Sequence, residues 1–198
     1  MGSYLNLIGS FIIGGLFLLT INRFQASFNQ NSNEKLLEVI TIQKSSAVIK
    51  LIEHDFNRMG YGLETSLYQP NVEVIVLADS NRIHFLSDIN MDDTVNVVKY
   101  YLSDVSAADG TDNPEDKILY RLVDSEPEAD AALGVTRFRI RYFKSDGSEV
   151  TNLTDMTQLA QVRTFDITLM VESTIGYDDQ YSSFYWQTKI TPPNIARY

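Results

Sequence analysis

The sequence predicts an α+β fold, in which a long N-terminal α-helix, apolar in its first half, packs by its second half on an antiparallel β-sheet. Three observations predict it. Residues Ser3 to Asn22 form 20 consecutive positions without a charged side chain. Residues 32–59 then contain neither Pro nor Gly and carry apolar residues at three- and four-residue steps. Beyond Tyr61 the apolar period changes from about 3.6 to about 2, the signature of strands.

The uncharged stretch comes first. At 1.5 Å per residue it is about 30 Å long, the thickness of a bilayer's hydrocarbon core. A cleaved secretory signal needs a basic region ahead of the apolar run and a small-residue cleavage box. No Lys or Arg precedes the run, and Gln25-Ala26-Ser27 fits such a box poorly. Myristoylation at Gly2 favours Ser or Thr at position 6, where Asn6 stands. The expectation is a permanent membrane-spanning or bundle-forming helix over residues 1–30. Gly9, Ser10 and Gly14 are small residues that permit close helix–helix approach in an apolar medium. Gly14-Gly15 is alternatively a weak point where the helix bends, or simply part of the glycine common in membrane helices.

The helix is expected to continue over residues 31–60. Leu37, Ile40, Val48, Leu51, Ile52, Phe56 and Met59 form its apolar face, and Glu34, Lys35, Glu38, Lys44, Lys50 and Glu53 occupy most of the other. Asn29 to Asn33 is the least helical patch and is read as a local irregularity. Gly60 and Gly62 supply the stop. Residues 61–198 form the globular domain, with strands expected at 72–78, 82–86, 95–102, 117–123, 136–144, 162–172 and 183–190. A turn at Asp146-Gly147 follows the fifth. Strands joined by short connections without helices imply antiparallel pairing, with the sheet's apolar face on the amphipathic half of the helix.

The formal net charge of the 198 residues is -10, all of it beyond Asn22. An acidic body repels phosphate backbones, which excludes nucleic acid as an expected partner. The absence of cysteine excludes a disulfide framework, a thiolate nucleophile and a cysteine zinc site. The two histidines, His54 and His84, have no metal-ligand partner at recognisable spacing, and no nucleophile elbow, phosphate loop or dinucleotide fingerprint occurs. No catalytic role is expected, and no cofactor apart from one calcium reading. Asp88, Asn90 and Asp92 alternate like the start of a calcium loop. The sixth position is Asp93 rather than Gly and the twelfth is Lys99 rather than Glu, so a polar hairpin turn competes with calcium there. The acidic run Asp104, Asp109, Asp112, Glu115 and Asp116 reads as a solvated loop. Arg137, Arg139 and Arg141 alternate with apolar residues, placing three guanidinium groups on one sheet face. They are either a subunit interface for acidic patches or intramolecular partners of Asp166 and Glu172. Tyr177, Tyr181, Phe184, Tyr185 and Trp186 cluster near the end, as an adhesive surface or as core and interface filling.

Several motifs resemble a known family when taken in order. These are Asp55-x-x-Arg58-x-Gly60-Tyr61 at the helix end, and Ile83-x-Phe85-x-x-Asp88-x-x-x-Asp92 in a strand and turn. Tyr100-x-Leu102 followed by Leu119-x-Arg121, then Phe138 to Asp146-Gly147 and Phe165 to Leu169, continue the pattern. Over nearly the whole chain this resembles type IV pilins and pseudopilins, in particular PilW-like minor pilins and J-type minor pseudopilins of type II secretion. The resemblance departs at the N-terminus. The family's basic leader and the glutamate five residues beyond its cut have no counterpart here, because no acid precedes Glu34. A cut after Gly2 would place Leu7 at the glutamate position, with Asn6 the nearest polar residue. Either the processed form is represented or the processing signal is lost, and the glutamate's pairing with a neighbouring N-terminal amine is not carried over.

The resemblance implies a structural subunit, anchored in the inner membrane and then polymerised into a periplasmic or extracellular filament. Its partners would be copies of itself or other pilin-like subunits. Alternatives are a low-abundance subunit that primes or tips a pilus or secretion pseudopilus, and a membrane-anchored binding domain. Leu5, Asn6, Ile8, Phe11, Ile12, Gly14, Gly15, Leu16, Phe17 and Leu19 would form the assembly helix.

Overall fold

The computed structural model describes residues 2–63, 73–124, 129–176 and 180–195. A single helix, α1, runs from Gly2 to Asn57, about 84 Å at 1.5 Å per residue. It continues without a break through Gly14-Gly15 and through Asn29–Asn33, where an irregularity was expected. Each Asn or Ser costs less than about 0.7 kcal/mol against alanine, whereas stopping and restarting a helix requires a second nucleation. A side-chain bond from Gln30 to Glu34 (3.2 Å) spans the patch.

Among the described residues nine strands follow: β1 Ile75–Ala78, β2 Arg82–Ser87, β3 Asn96–Leu102, β4 Ile118–Val123, β5 Ala129–Leu133, β6 Val135–Lys144, β7 Glu149–Val150, β8 Val162–Glu172 and β9 Ser183–Ile190. The seven expected strands occur within a few residues of their expected limits, although position 72 of the first lies outside the described residues. A short helix, α2 (Met156–Leu159), is capped by Asp155, whose side chain accepts from the backbone N–H groups of Thr157 and Gln158.

Among the described residues all strand pairing is antiparallel, but these strands form two sheets where one was expected. The first has the order β1-β2-β3-β4-β5 and the second β7-β6-β8-β9. The chain changes sheets at Gly134, the single residue between β5 and β6, where φ is +91°. A Cβ there would lie 2.6 Å from the carbonyl oxygen of Glu172. Two seams join the sheets. Ile140 N–H donates to Ser80 O (2.8 Å), and Lys117 and Val135 exchange backbone bonds of 3.1 Å. The Tyr142 hydroxyl adds a bond to Asp79 O (2.8 Å).

The core lies where both sheets meet the C-terminal part of α1. Val48, Ile52, Phe56 and Met59 are buried there as expected, while Ile40 is 38% exposed. Thr41 and Ser45 take the inward positions instead, with the Ser45 hydroxyl bonded to Thr41 O (2.7 Å). This satisfies the buried hydroxyl within the helix. The Phe56 ring meets Phe85 of β2, Tyr100 of β3 and Phe165 of β8 at centroid distances of 5.5, 6.0 and 5.6 Å. One side chain of the helix therefore touches both sheets.

Helix α1 stops at glycines, as expected. Gly60 and Gly62 both have φ of +79°. The turn they form docks on the end of β2, through Gly60 N–H to Leu86 O (2.9 Å) and Asp88 N–H to Tyr61 O (2.8 Å). A Cβ on Gly62 would lie 2.5 Å from the Cβ of Asp88. Gly62→Ala is therefore expected to cost about 2–3 kcal/mol from left-handed strain plus the clash. Gly147, with φ of +84° and open space around it, should lose only about 1–2 kcal/mol on replacement by alanine. Chemical denaturation of the two variants in detergent checks the difference, and equal losses would contradict it.

Candidate functional site

The first candidate surface is the free part of α1. The large apolar side chains described from Tyr4 to Phe28, Phe11 at 75% and Phe17 at 65% among them, are exposed. The helix is long and apolar enough to cross a membrane, and its apolar window is not buried against the rest of the chain. Asn6, Ile8, Phe11, Ile12, Gly14, Gly15, Leu16, Phe17 and Leu19 all lie on this segment. Leu5 lies in the same helix, but its side chain is outside the described residues. Two polar interruptions are satisfied internally: Ser10 donates to Asn6 O (2.9 Å) and Thr20 to Leu16 O (2.8 Å). Such back-bonding lets a hydroxyl enter an apolar medium without an unpaired donor. Gly9, Gly14 and Gly15 have nothing within 4 Å of a Cβ position, so no contact within the chain requires glycine there.

The structure adds a surface that the sequence reading did not single out. Leu36, Val39 and Ile42, on the half that packs against the sheets, are 58%, 49% and 43% exposed. At about 100° per residue, Phe17, Phe24, Phe28, Val39 and Ile42 fall within roughly 60° of one another, about 120° around the helix from the buried stripe of Thr41, Ser45, Val48 and Ile52. Exposed apolar residues thus recur past the uncharged segment on a side of the helix turned away from the sheets, with Lys35 interrupting the row between Phe28 and Val39. Its period was present in the sequence, but one apolar face had already been assigned to the sheet.

The second feature is the joint that fixes α1 to the body. Asp55 is fully buried on the inward face of the helix. Its carboxylate accepts from the Tyr100 hydroxyl (2.7 Å) and from Arg121 Nε (2.6 Å). His54, half exposed, places Nδ1 3.1 Å from the other oxygen. Burial, reinforced by the charge of Asp55, pushes the Tyr100 hydroxyl well above its ordinary pKa. Burial works against the charge of Arg121, but the hydrogen bond and charge of Asp55 outweigh it and raise the guanidinium's pKa. Arg58 extends the joint, donating to Ile89 O (2.9 Å), while Ser87 donates to Arg58 O (2.7 Å). Asp55, Arg58, Gly60, Tyr100 and Arg121 all belong to the motifs that carried the resemblance, and here they meet in one place.

The arginines occupy the outer face of β6. Arg141 pairs with Glu149 through Nε (2.9 Å) and Nη2 (2.5 Å), and lies 3.8 Å from Asp166. Its expected partner Asp166 is thus at the margin, and Glu149 of β7 takes the main contact. Arg137 and Arg139 are exposed and face Met170 and Thr168 across the pairing. Glu172 instead accepts from Asn113 (2.9 Å). Arg137 and Arg139 line an open groove with Ser80, Lys117, Tyr185 and Gln187.

Asp88, Asn90 and Asp92 form a self-capped turn. The buried Asp88 carboxylate accepts from the N–H groups of Met91 (2.7 Å), Asp92 (3.2 Å) and Asp93 (3.1 Å). Asn90 donates to Asp92 (2.8 Å), which also accepts from Thr94 N–H (2.9 Å). The latter bond leads in lowering the Asp92 pKa. His84 in β2 has its pKa lowered by burial and then by Lys99 and Arg82. No group of three or more His, Cys, Asp or Glu placed to hold a metal occurs among the described residues. In the C-terminal aromatic cluster, Phe184 and Trp186 are half-buried, Tyr185 is exposed and Tyr181 donates to Asp112 O (2.8 Å). Tyr177 lies outside the described residues.

Compared with protein families and with curated proteins, the sequence finds no match. The class is therefore defined by the structure. A 56-residue N-terminal helix, free and apolar at one end and packed at the other on antiparallel sheets, is a pilin-like fold.

Removing one partner of a buried ion pair leaves an uncompensated charge. Arg121→Ala is therefore expected to cost about 3–5 kcal/mol, and Tyr100→Phe about 1–3 kcal/mol. In a double-mutant cycle, Asp55→Ala combined with Arg121→Ala should lose clearly less than the sum of the single losses. Strict additivity in denaturation would show that the pair does not act as a unit.

Proposed function

We propose that this chain is a structural subunit of a type IV pilus-like extracellular filament. It is held in the inner membrane by the free part of α1 and polymerises by exchanging lipid for the helices of neighbouring copies. The observation that carries this reading is the exposed apolar surface of the uncharged segment of α1, with Val39 and Ile42 exposed further along the same side. Fully burying a large apolar side chain is worth about 1.5–3 kcal/mol. A row of them projecting from an acidic body therefore requires lipid or other helices around it. Between helices already in lipid the drive is close packing rather than water exclusion. Ser10 and Gly14, four residues apart on one face, supply a small-residue surface for it.

A long lever is useful in a filament only if it is rigidly attached. The Asp55–Tyr100–Arg121 bonds and the Phe56 wedge supply that attachment. Arg137 and Arg139 are then a secondary contact, receiving acidic surfaces of neighbouring subunits while Arg141 stays with Glu149.

Electron microscopy and mass spectrometry of material sheared from the cell surface test the reading. The expected result is filaments composed mainly of this chain. Filaments carrying only traces of it would transfer the chain to a priming or tip role, and retention in the membrane fraction would make it an anchored binding domain. Ile12→Asp places a charge that costs about 2.5–3.5 kcal/mol in the bilayer centre. It is expected to abolish filaments while the near-ultraviolet circular dichroism of the body stays unchanged. Arg139→Glu should reduce filament yield without lowering the melting temperature, and unchanged yield would remove the arginine face from the interface.

A further inference from the structure

Strand register places side chains of β6, β8 and β9 in rows across the outer face of the second sheet. Arg137 lies opposite Met170 and Met170 opposite Tyr185, while Arg139 lies opposite Thr168 and Thr168 opposite Gln187. Arg137 and Arg139 are about 7 Å apart at the backbone, twice the rise of a strand residue. The β9 side of this face is fixed by bonds from the Tyr185 hydroxyl to Gln187 Oε1 and from Gln187 Nε2 to Asp166, both 2.8 Å. On the other side, the turn at Ser80 and Asn81 and the side chain of Lys117 complete an open groove of about 730 Å³. Four cations line it, Lys117, Arg137, Arg139 and Arg141, and no carboxylate does, in a chain with 26 acidic and 16 basic residues. Glu149 occupies Arg141. The side chains of Lys117, Arg137 and Arg139 form no hydrogen bond or ion pair among the described residues.

The acidic loop between β3 and β4 supplies the opposite charge. Asp104, Asp109, Asp112 and Glu115 are exposed, and their carboxylates form no hydrogen bond or ion pair among the described residues. The loop itself is held firmly. Asp112 N–H donates to Thr174 O (3.0 Å), Asn113 donates to Glu172 Oε2 (2.9 Å), and the Tyr181 hydroxyl donates to Asp112 O (2.8 Å). These bonds tie it to the end of β8, so its acids stay off the groove of their own chain. Acids of other turns are engaged locally: Asp88 and Asp92 accept from backbone N–H groups, Asp124 from Asn96 and Val97, Asp146 from Ser148, and Asp155 from Thr157. We propose that the loop of residues 103–115 of one copy docks into the Lys117–Arg137–Arg139 groove of the next. This inference rests on the filament reading and names the acidic surface that the arginine face receives. Both surfaces are ordered before they meet, so docking loses little conformational entropy. Exposed ion pairs are individually weak and screened by salt. The contact therefore sets the register of neighbouring bodies, while α1 supplies the packing. Groove and loop are different surfaces, so a docked copy keeps one of them unused and the contact repeats along a filament.

The test is a charge exchange in the full-length chain, read as the yield of filaments sheared from cells. Arg137→Glu with Arg139→Glu is expected to lose most of the yield, and so is Asp109→Lys with Asp112→Lys. All four changes in one chain should restore it. Near-ultraviolet circular dichroism in detergent checks that each variant's body is folded. In a second measurement, chains carrying Arg139→Cys are co-expressed with chains carrying Asp109→Cys. Disulfide-linked dimers are expected from the mixture and from neither chain alone. Full yield from either double variant, losses that the combined variant does not reverse, no mixed dimer in cells that make filaments, or a dimer from one single-cysteine chain alone would each overturn the contact. Loss confined to the arginine variant would at the same time assign the groove to a different anion. In all these cases wild-type filaments leave the reading of α1 standing, whereas a wild type without filaments removes both.

Discussion

The architecture depends on two consecutive residues of α1. Phe56 puts an aromatic ring among Phe85, Tyr100 and Phe165, so both sheets close on it. Asp55 puts a carboxylate into the first sheet, where Tyr100 and Arg121 hold it. The first contact supplies burial and the second supplies direction. An apolar ring tolerates small rotations of the helix, whereas a buried carboxylate bonded at 2.6 and 2.7 Å does not. Buried ion pairs are weak sources of net stability, and their best-supported use is to select one arrangement among several. Here the arrangement selected is the rotation of the helix on the sheets. It therefore also sets where the exposed stripe of Phe24, Phe28, Val39 and Ile42 points.

The chain thus divides its chemistry along one helix. Beyond Asn22 the acidic charge keeps the body in water, and before it the helix offers no charge at all. Between these limits, roughly from Phe24 to Ile42, the helix carries both exposed apolar residues and the charged Glu34, Lys35 and Glu38. It can meet both water and a neighbouring helix. A continuous helix suits this role because its hydrogen bonds are satisfied within itself wherever its surroundings change. The back-bonded Ser10 and Thr20 follow the same rule at the level of side chains.

Much of this was legible in the sequence, for physical reasons that differ between elements. The helix and its stop at Gly60 and Gly62 followed from period and glycine, which are local signals. Strands such as Val162–Glu172 followed from alternation. β5 did not, because Ala129-Asp-Ala-Ala-Leu133 has no β-branched or aromatic residue and becomes a strand only by pairing with β4. The division into two sheets rests on Gly134, whose left-handed backbone is invisible until its neighbours are placed. Thr41 and Ser45 were passed over for Ile40 because a hydrophobic count cannot register hydroxyls that bond back to their own helix. Asp55, Tyr100 and Arg121 were each picked out by motif. Their convergence was not, since contacts 45 and 66 residues apart depend on strand register. Asp116 was read as part of a solvated loop and is instead buried.

The central claim is that the exposed stripe of α1 is a self-association surface, and the absence of cysteine allows a direct measurement. Single cysteines introduced at Phe17, Phe24, Phe28 and Ile42, with Thr151→Cys on the exposed body as a control, would be oxidised in intact cells. The account predicts disulfide-linked dimers at the helix positions and none at Thr151. Monomers at every helix position, in cells expressing the folded chain, would contradict it.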